Sequence, residues 1–227
     1  MATLLEVRQD SLLSLGDGNA PPQALLRMGI APVATKWDLF ALQGRMFNAH
    51  QTTIGTALNG GTADAGGIVL TAPFFRFTVP SGLTVFPRRF NWTFATLPGT
   101  MNEIAIAYSV GDTFTSGGTA HTPLNWRTDN PRATAVTNCY IGPSGGANVE
   151  AALVTPRVLY QKTLPLAASF ATSYTLETTI DVKWDTLIPI VGPAAFLVYL
   201  GNVTTTSTGY FTCDWAEIPS VSAITAV

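Results

Sequence analysis

Alternation of apolar and polar positions predicts strands along much of the chain. Between positions 88 and 94 every second side chain is aromatic, and a period of two recurs over 103–110, 173–184 and 209–218. This period places successive side chains on opposite faces of a β-strand that has one buried face. In the last segment Phe211, Cys213 and Trp215 are predicted to point inward.

Two other segments are too continuously apolar to have a wet face. Positions 194–200 read AAFLVYL, and positions 73–79 belong to a stretch, 68–97, that holds half of the chain's Phe residues. Strands buried on both faces show such runs. We therefore expect Phe74, Phe75 and Phe77 to be covered by a second sheet and also by residues 1–65 or another subunit.

Further strands are predicted at 132–141 and at 148–155, the latter pairing with 157–163. Positions 111–130 are polar and rich in turn residues, which predicts a long loop carrying Trp126. About eight strands separated by Gly, Pro and Asn turns indicate an antiparallel sandwich or barrel. Eight strands in two sheets is the count of a jelly roll. The predicted fold is all-β: an antiparallel jelly-roll-like β-sandwich over 66–227 with an irregular N-terminal arm, its strand order left open.

Residues 1–65 have apolar islands without a clear period. They are predicted to form an arm or lobe that contacts a neighbouring subunit or a capsid. The alternative is an irregular lobe packed on its own domain. The predicted contact residues, drawn from this segment and from the Phe-rich stretch, are Leu4, Leu5, Trp37, Phe40, Phe47, Phe74 and Phe75.

Charged residues make up 11 % of the chain, against about 25 % in typical soluble domains. Such a surface suits a protein covered by copies of itself or by partners. The cations are scattered and the net charge is −2, which argues against a nucleic-acid partner. No apolar run reaches the roughly 18 residues that span a bilayer, and the N-terminus does not read as a secretory signal. Cys139 and Cys213 are expected to be buried free thiols, with a single bridge as the alternative.

Candidate chemistry is sparse. His121 could form a triad with Asp112 or Asp129, but no nucleophile elbow accompanies it. The pairs Asp181–Asp185 and Asp214–Glu217 are better explained as ordinary surface or strand positions than as glycosidase carboxylates. No spacing predicts a metal or cofactor site, so we expect no catalysis. Exposed aromatics could form a sugar platform, although packing in the core or at a subunit contact explains them better; the candidates are Trp126, Tyr140, Tyr160 and Tyr210.

Four stretches together resemble virion structural proteins of bacteriophages: PFFRFTVPSGLTVFPRRFNWTFA at 73–95, PLNWRTDNPRAT at 123–134, GPAAFLVYL at 192–200 and DWAEIP at 214–219. They are most similar to the jelly-roll decoration (cement) proteins of tailed phages. That resemblance implies a non-enzymatic homotrimer, made in the host cytoplasm. It would sit on the outer capsid surface, bind the major capsid protein and bridge capsomers.

Two other functions stay open. One is a glycan-binding tip of a tail fibre or head fibre. The other is a small jelly-roll major capsid protein of a tailless virus.

Overall fold

The computed structural model of the chain describes residues 35–50, 56–60, 68–96, 102–129, 131–142, 149–150, 156–164, 179–202 and 207–220. The chain divides into two compact units, Met1–Lys36 and Trp37–Val227, and the architecture below is that of the second. Several predictions therefore lie outside the described residues, among them those for Leu4, Leu5 and positions 173–178.

A short helix, α1 (Lys36–Leu42), precedes the first strand. The larger sheet has seven strands in the order β12-β4-β15-β1-β8, with β13 paired to β4 and β2 paired to β15. These strands are β1 (Met46–His50), β2 (Leu58–Gly60), β4 (Leu83–Thr96), β8 (Leu124–Asn125), β12 (Thr179–Lys183), β13 (Ile190–Val191) and β15 (Ser207–Pro219).

The smaller sheet has six strands in the order β11-β5-β14-β3-β9-β7, and a separate two-stranded ribbon joins β6 to β10. Their bounds are β3 (Phe75–Val79), β5 (Asn102–Val110), β6 (Phe114–Ser116), β7 (Thr119–Ala120), β9 (Thr137–Ile141), β10 (Val149–Glu150), β11 (Arg157–Leu164) and β14 (Ala194–Asn202).

Eight of the strands have the pairing of a jelly roll, which confirms the predicted antiparallel jelly-roll-like β-sandwich. Along the chain they are β1, β3, β4, β5, β11, β12, β14 and β15. The first pairs with the last, the second with the seventh, the third with the sixth and the fourth with the fifth, all antiparallel. Pairing of β4 with β15 and of β5 with β14 then closes the two sheets. The chain is thus an antiparallel double ribbon wound into a sandwich.

Aromatic side chains from both sheets fill the space between them. The ring of Phe77 in the smaller sheet lies 4.7 Å from that of Trp215 in the larger, and Phe74 meets Trp92 at 5.1 Å. Each such pair adds about 0.5–1.5 kcal/mol beyond the burial of its area. Cys139 and Cys213 are buried and free, and both point into this core.

Three predictions about strands need correction. Residues 149–150 pair with β6 and not with 157–163, which instead pair with β5. The predicted loop at 111–130 contains the short strands β6, β7 and β8. Residues 46–50 and 58–60, assigned to the arm, pair with β15 and belong to the larger sheet. Two- and three-residue strands are too short to show a period in the sequence. Their pairing depends on partners that are distant in the chain. The contact role of the remaining arm stays a prediction.

Strands β3 and β14 are buried on both faces, as their sequence pattern predicts. On the outer face of the smaller sheet the alanines and Leu197 of β5 and β14 form a second apolar cluster with Tyr199. Arg76 of β3 points to this same face and its side chain is fully buried. A buried guanidinium is costly unless carboxylates and hydrogen bonds surround it.

Two carboxylates meet Arg76. Its Nε lies 3.0 Å from Oε1 of Glu150, whose side chain is also fully buried. Its Nη2 donates to Oδ1 of Asp112 at 3.0 Å, and the guanidinium lies 4.5 Å from the ring centre of Phe114. Because Glu150 and Phe114 belong to the β6–β10 ribbon, the ion cluster fixes that ribbon on the outer face of the smaller sheet.

The two carboxyl groups are perturbed in opposite directions. Burial raises the pKa of Glu150, against the hydrogen bond from Thr113 and the charge of Arg76. Burial also acts to raise the pKa of Asp112, but hydrogen bonds from Arg76, the Phe114 N–H and Thr78 outweigh it and lower the pKa. The Thr113 hydrogen bond and the charge of Arg76 therefore favour the ionised form of Glu150 against its burial.

Replacing Arg76 by Met is expected to lower the free energy of unfolding by about 3–5 kcal/mol, because Glu150 is then a buried carboxyl group without its cation. The control is Arg89→Met. Arg89 makes a two-point contact with Asp181 but its side chain is 42 % exposed, so its loss should cost about 1 kcal/mol or less. Urea unfolding at neutral pH compares the two. Equal losses would show that the Arg76 cluster is not a special anchor.

Candidate contact surface

The predicted contact residues fall in two groups. Phe47, Phe74 and Phe75 lie in the core between the sheets, and Phe40 is 2 % exposed. Trp37 is half-buried and is therefore the described member of the set whose side chain reaches the surface. Leu4 and Leu5 lie outside the described residues.

Helix α1 is held by its aromatic side chains. Seven residues are too few for a helix that is stable by itself, so packing has to stabilise it. The ring of Phe40 stacks on Phe86 of β4 at 6.2 Å, and Trp37 meets Phe40 edge-on at 6.0 Å. The helix thus covers the outer face of the larger sheet near the start of β1.

A β-bulge in β4 places Arg88 beside this helix. Asp214 of β15 lies opposite Arg89, whereas the next residue, Trp215, lies opposite Pro87, so Arg88 is the extra residue. A bulge also accommodates Pro87, which has no N–H to give to an interior strand. The Arg88 carbonyl accepts a hydrogen bond from the backbone N–H of Trp184 at 2.9 Å.

Arg88 links two tryptophans. Its guanidinium carbon lies 4.6 Å from the ring centre of Trp126 and 6.0 Å from that of Trp37. The backbone N–H of Trp126 donates to the Met46 carbonyl at 3.0 Å, and its side chain hydrogen bonds to Asp214. Trp126 is nevertheless 41 % exposed. Its ring is held in place by the protein while part of it stays open to solvent.

Asp214 is the buried acid beneath this arrangement. Asn48 of β1 donates to its Oδ1 at 2.6 Å. Burial raises the pKa of Asp214 above its ordinary value, opposed by the Asn48 hydrogen bond, the charges of Arg88 and Arg89 and the Trp126 hydrogen bond. The carboxyl group therefore couples the β1 edge to the two arginines of the bulge.

Two exposed leucines belong to the same segments of the chain as the two tryptophans. Leu42, at the end of α1, is 63 % exposed, and Leu124, in β8, is 54 % exposed. Arg127 joins the two elements by donating to the Leu42 carbonyl at 2.9 Å. We name this region the α1–β8 surface; its members are Trp37, Leu42, Arg88, Leu124 and Trp126. Trp and Arg anchors amid apolar neighbours are typical of the residues that dominate protein–protein binding energy.

The other predicted candidates are not assembled into a reactive site. Asp112 is bound in the Arg76 cluster and Asp129 pairs with Arg127. Neither ring nitrogen of His121 has a hydrogen-bond partner, so no described group orients it as a base. Asp181 pairs with Arg89 and Lys183. Of the aromatic candidates, Tyr140, Tyr160 and Tyr210 are half-buried.

Sequence reasoning named Trp37 and Trp126 separately and missed Arg88, Leu42 and Leu124. The only local signal was the Pro87-Arg88-Arg89 interruption of a strand pattern. In the described part of the chain no cluster of three or more His, Cys, Asp or Glu could hold a metal ion. No described helix is long and apolar enough to cross a membrane.

No known protein family matches this sequence, and no curated protein is detectably similar to it.

Substituting Asp214 by Asn tests the buried acid through pH. Because its folded pKa is raised above the ordinary 3.8, Asp214 favours the folded state most below that value, and this contribution is lost as pH rises through the folded pKa. The free energy of unfolding of the wild type should therefore fall relative to that of Asp214→Asn as pH increases from about 3.8. Denaturant unfolding across this range measures it. A difference that is flat or moves the other way contradicts the assignment.

Proposed function

We propose that this protein is a structural virion protein that decorates an icosahedral phage capsid and stabilises it by bridging capsomers. The observation that carries the proposal is the jelly-roll strand pairing, a fold used by viral capsid proteins. The same fold serves lectins, so surface chemistry has to supply the rest of the argument.

Three surface features support a shell protein. Charged residues are few, and the described residues present no assembled catalytic group. The α1–β8 surface exposes apolar side chains and aromatic rings that contacts with the protein hold in place. Arg88 and Arg127 in this region face Asp214 and Asp129, so each of these two cations has a carboxyl group of the same chain beside it. The surface fits a largely neutral protein partner, which in this proposal is the major capsid protein.

The mechanism is linkage by mass action. A protein that binds the assembled shell and not its separated subunits shifts the equilibrium toward the shell, by an amount set by its concentration and affinity. A homotrimer would multiply this effect, because one bound subunit raises the effective concentration of the next. The trimer, the outer-surface location and the absence of catalysis remain predictions.

A second function is favoured by Trp126. A partly exposed indole is also what a sugar platform needs, because its ring face can pack against the C–H groups of a sugar. This second candidate function is the glycan-binding tip of a tail fibre or head fibre.

The third candidate function is a small jelly-roll major capsid protein of a tailless virus. It is compatible with the same fold, and it requires this chain to form closed shells by itself.

Adding the purified protein back to particles that lack it tests the leading proposal. Wild type should bind to saturation and raise the temperature at which particles break, while Leu124→Ala/Trp126→Ala should bind in fewer copies because it removes two exposed apolar anchors. The matched control is Val158→Ala, which removes an exposed apolar side chain (54 % exposed) on β11, in the other sheet.

The outcomes separate the two parts of the proposal. Tight binding without a gain in heat resistance contradicts the cementing role. Equal binding by the double variant contradicts the α1–β8 surface as the contact. Closed shells from this chain alone support the capsid alternative, and glycan binding that disappears with Trp126→Ala supports the fibre tip.

A further inference from the structure

The chain has two histidines, His50 and His121, and the fold brings them together. Their ring centres are 6.0 Å apart with planes at 82°. With Zn–N bonds of about 2.0 Å, two imidazoles that share one tetrahedral ion have ring centres roughly 5–5.5 Å apart. The two rings are therefore within about 1 Å of the separation that two ligands of one ion have.

The pair lies at one edge of the sandwich. His50 is the last residue of β1 in the larger sheet. His121 follows β7 of the smaller sheet and precedes β8 of the larger one, and its backbone N–H donates to the Cys139 carbonyl of β9 at 2.9 Å. An ion held by both rings would connect β1 with the segment that crosses between the sheets.

His50 is oriented as metal-binding histidines are. Its Nδ1 lies 2.9 Å from Oδ1 of Asn48, whose Nδ2 donates to Asp214 at 2.6 Å. The Asn48 amide is thus fixed with its oxygen toward the ring, so Nδ1 carries the proton and Nε2 keeps its lone pair. Metal-ligating histidines almost always donate their other ring N–H to such a partner.

His121 is the unsatisfied member. Both of its ring nitrogens are buried without a hydrogen-bond partner, which costs free energy that a bound ion would recover at one of them. The residue also lines an open cleft of about 250 Å³ together with Thr122, Asn138 and Tyr140. His50 is not among the residues that line this cleft, so the cleft borders the His121 side of the pair.

We propose that His50 and His121 bind a divalent transition-metal ion, Zn²⁺ or a related imidazole-preferring ion, across the edge of the sandwich. Imidazole nitrogens favour Zn²⁺, Cu²⁺ and Ni²⁺ over Ca²⁺ and Mg²⁺, which prefer oxygen. The protein supplies two ligands and water supplies the others. Asn48 is a positioning residue that holds His50.

Zinc titration of the full chain after removal of metal by chelation tests the site. We expect one Zn²⁺ to bind by calorimetry, the unfolding temperature to rise with Zn²⁺ but not with Mg²⁺, and the ring ¹⁵N shifts of both histidines to change. His50→Gln and His121→Gln should each lose at least about tenfold in affinity. Asn48→Ala should lose about 10–100-fold with both ligands still present, as second-shell losses do.

Unfolding of each metal-free variant shows whether it is folded before binding is compared. If a variant is unfolded, the proposal is judged from the wild-type protein alone, by the change in its histidine ring ¹⁵N shifts when Zn²⁺ is added. Absence of Zn²⁺ binding to wild type at a tenfold molar excess overturns the proposal. So does binding that leaves either ring unshifted or that both glutamine variants retain.

Discussion

Strand β3 is buried on both of its faces, and much of the structure serves to satisfy that arrangement. On the inner face Phe75 and Phe77 join the aromatic layer between the sheets. On the outer face Arg76 places a full charge out of reach of water. Asp112 and Glu150 have to meet that charge, and they bring the β6–β10 ribbon over the sheet as a local third layer.

The alternation of apolar and polar side chains revealed the longer strands, because the pattern of each lies within one continuous segment of the sequence. Positions 179–184 and 209–218 alternate as predicted, with Ile180, Val182 and Trp184 inward in the first and Phe211, Cys213 and Trp215 in the second. The run at 194–200 is buried throughout, as an all-apolar segment requires. Strand order could not be read in this way, because the pairing of β1 with β15 joins opposite ends of the chain.

The candidate surface was only partly predictable. Trp37 stood out in an apolar island of the N-terminal segment and Trp126 in a polar loop. The residue between them, Arg88, reaches its position through a bulge whose only signal is Pro87. The Arg76 cluster had a stronger signal that went unused: a cation inside a Phe-rich run must find buried carboxylates. The meeting of His50 and His121 has no local signal at all, since it depends on how the two sheets close.

In the proposed function the jelly-roll core and the exposed α1–β8 surface both serve a virus shell. That proposal depends on where the chain is located, so the deciding experiment determines its copy number and position in purified particles, by electron cryomicroscopy with quantified protein bands. We expect many copies spread over the outer capsid surface, with the α1–β8 surface against the capsid protein. A few copies confined to a tail or fibre tip, or none in the particle, would contradict it.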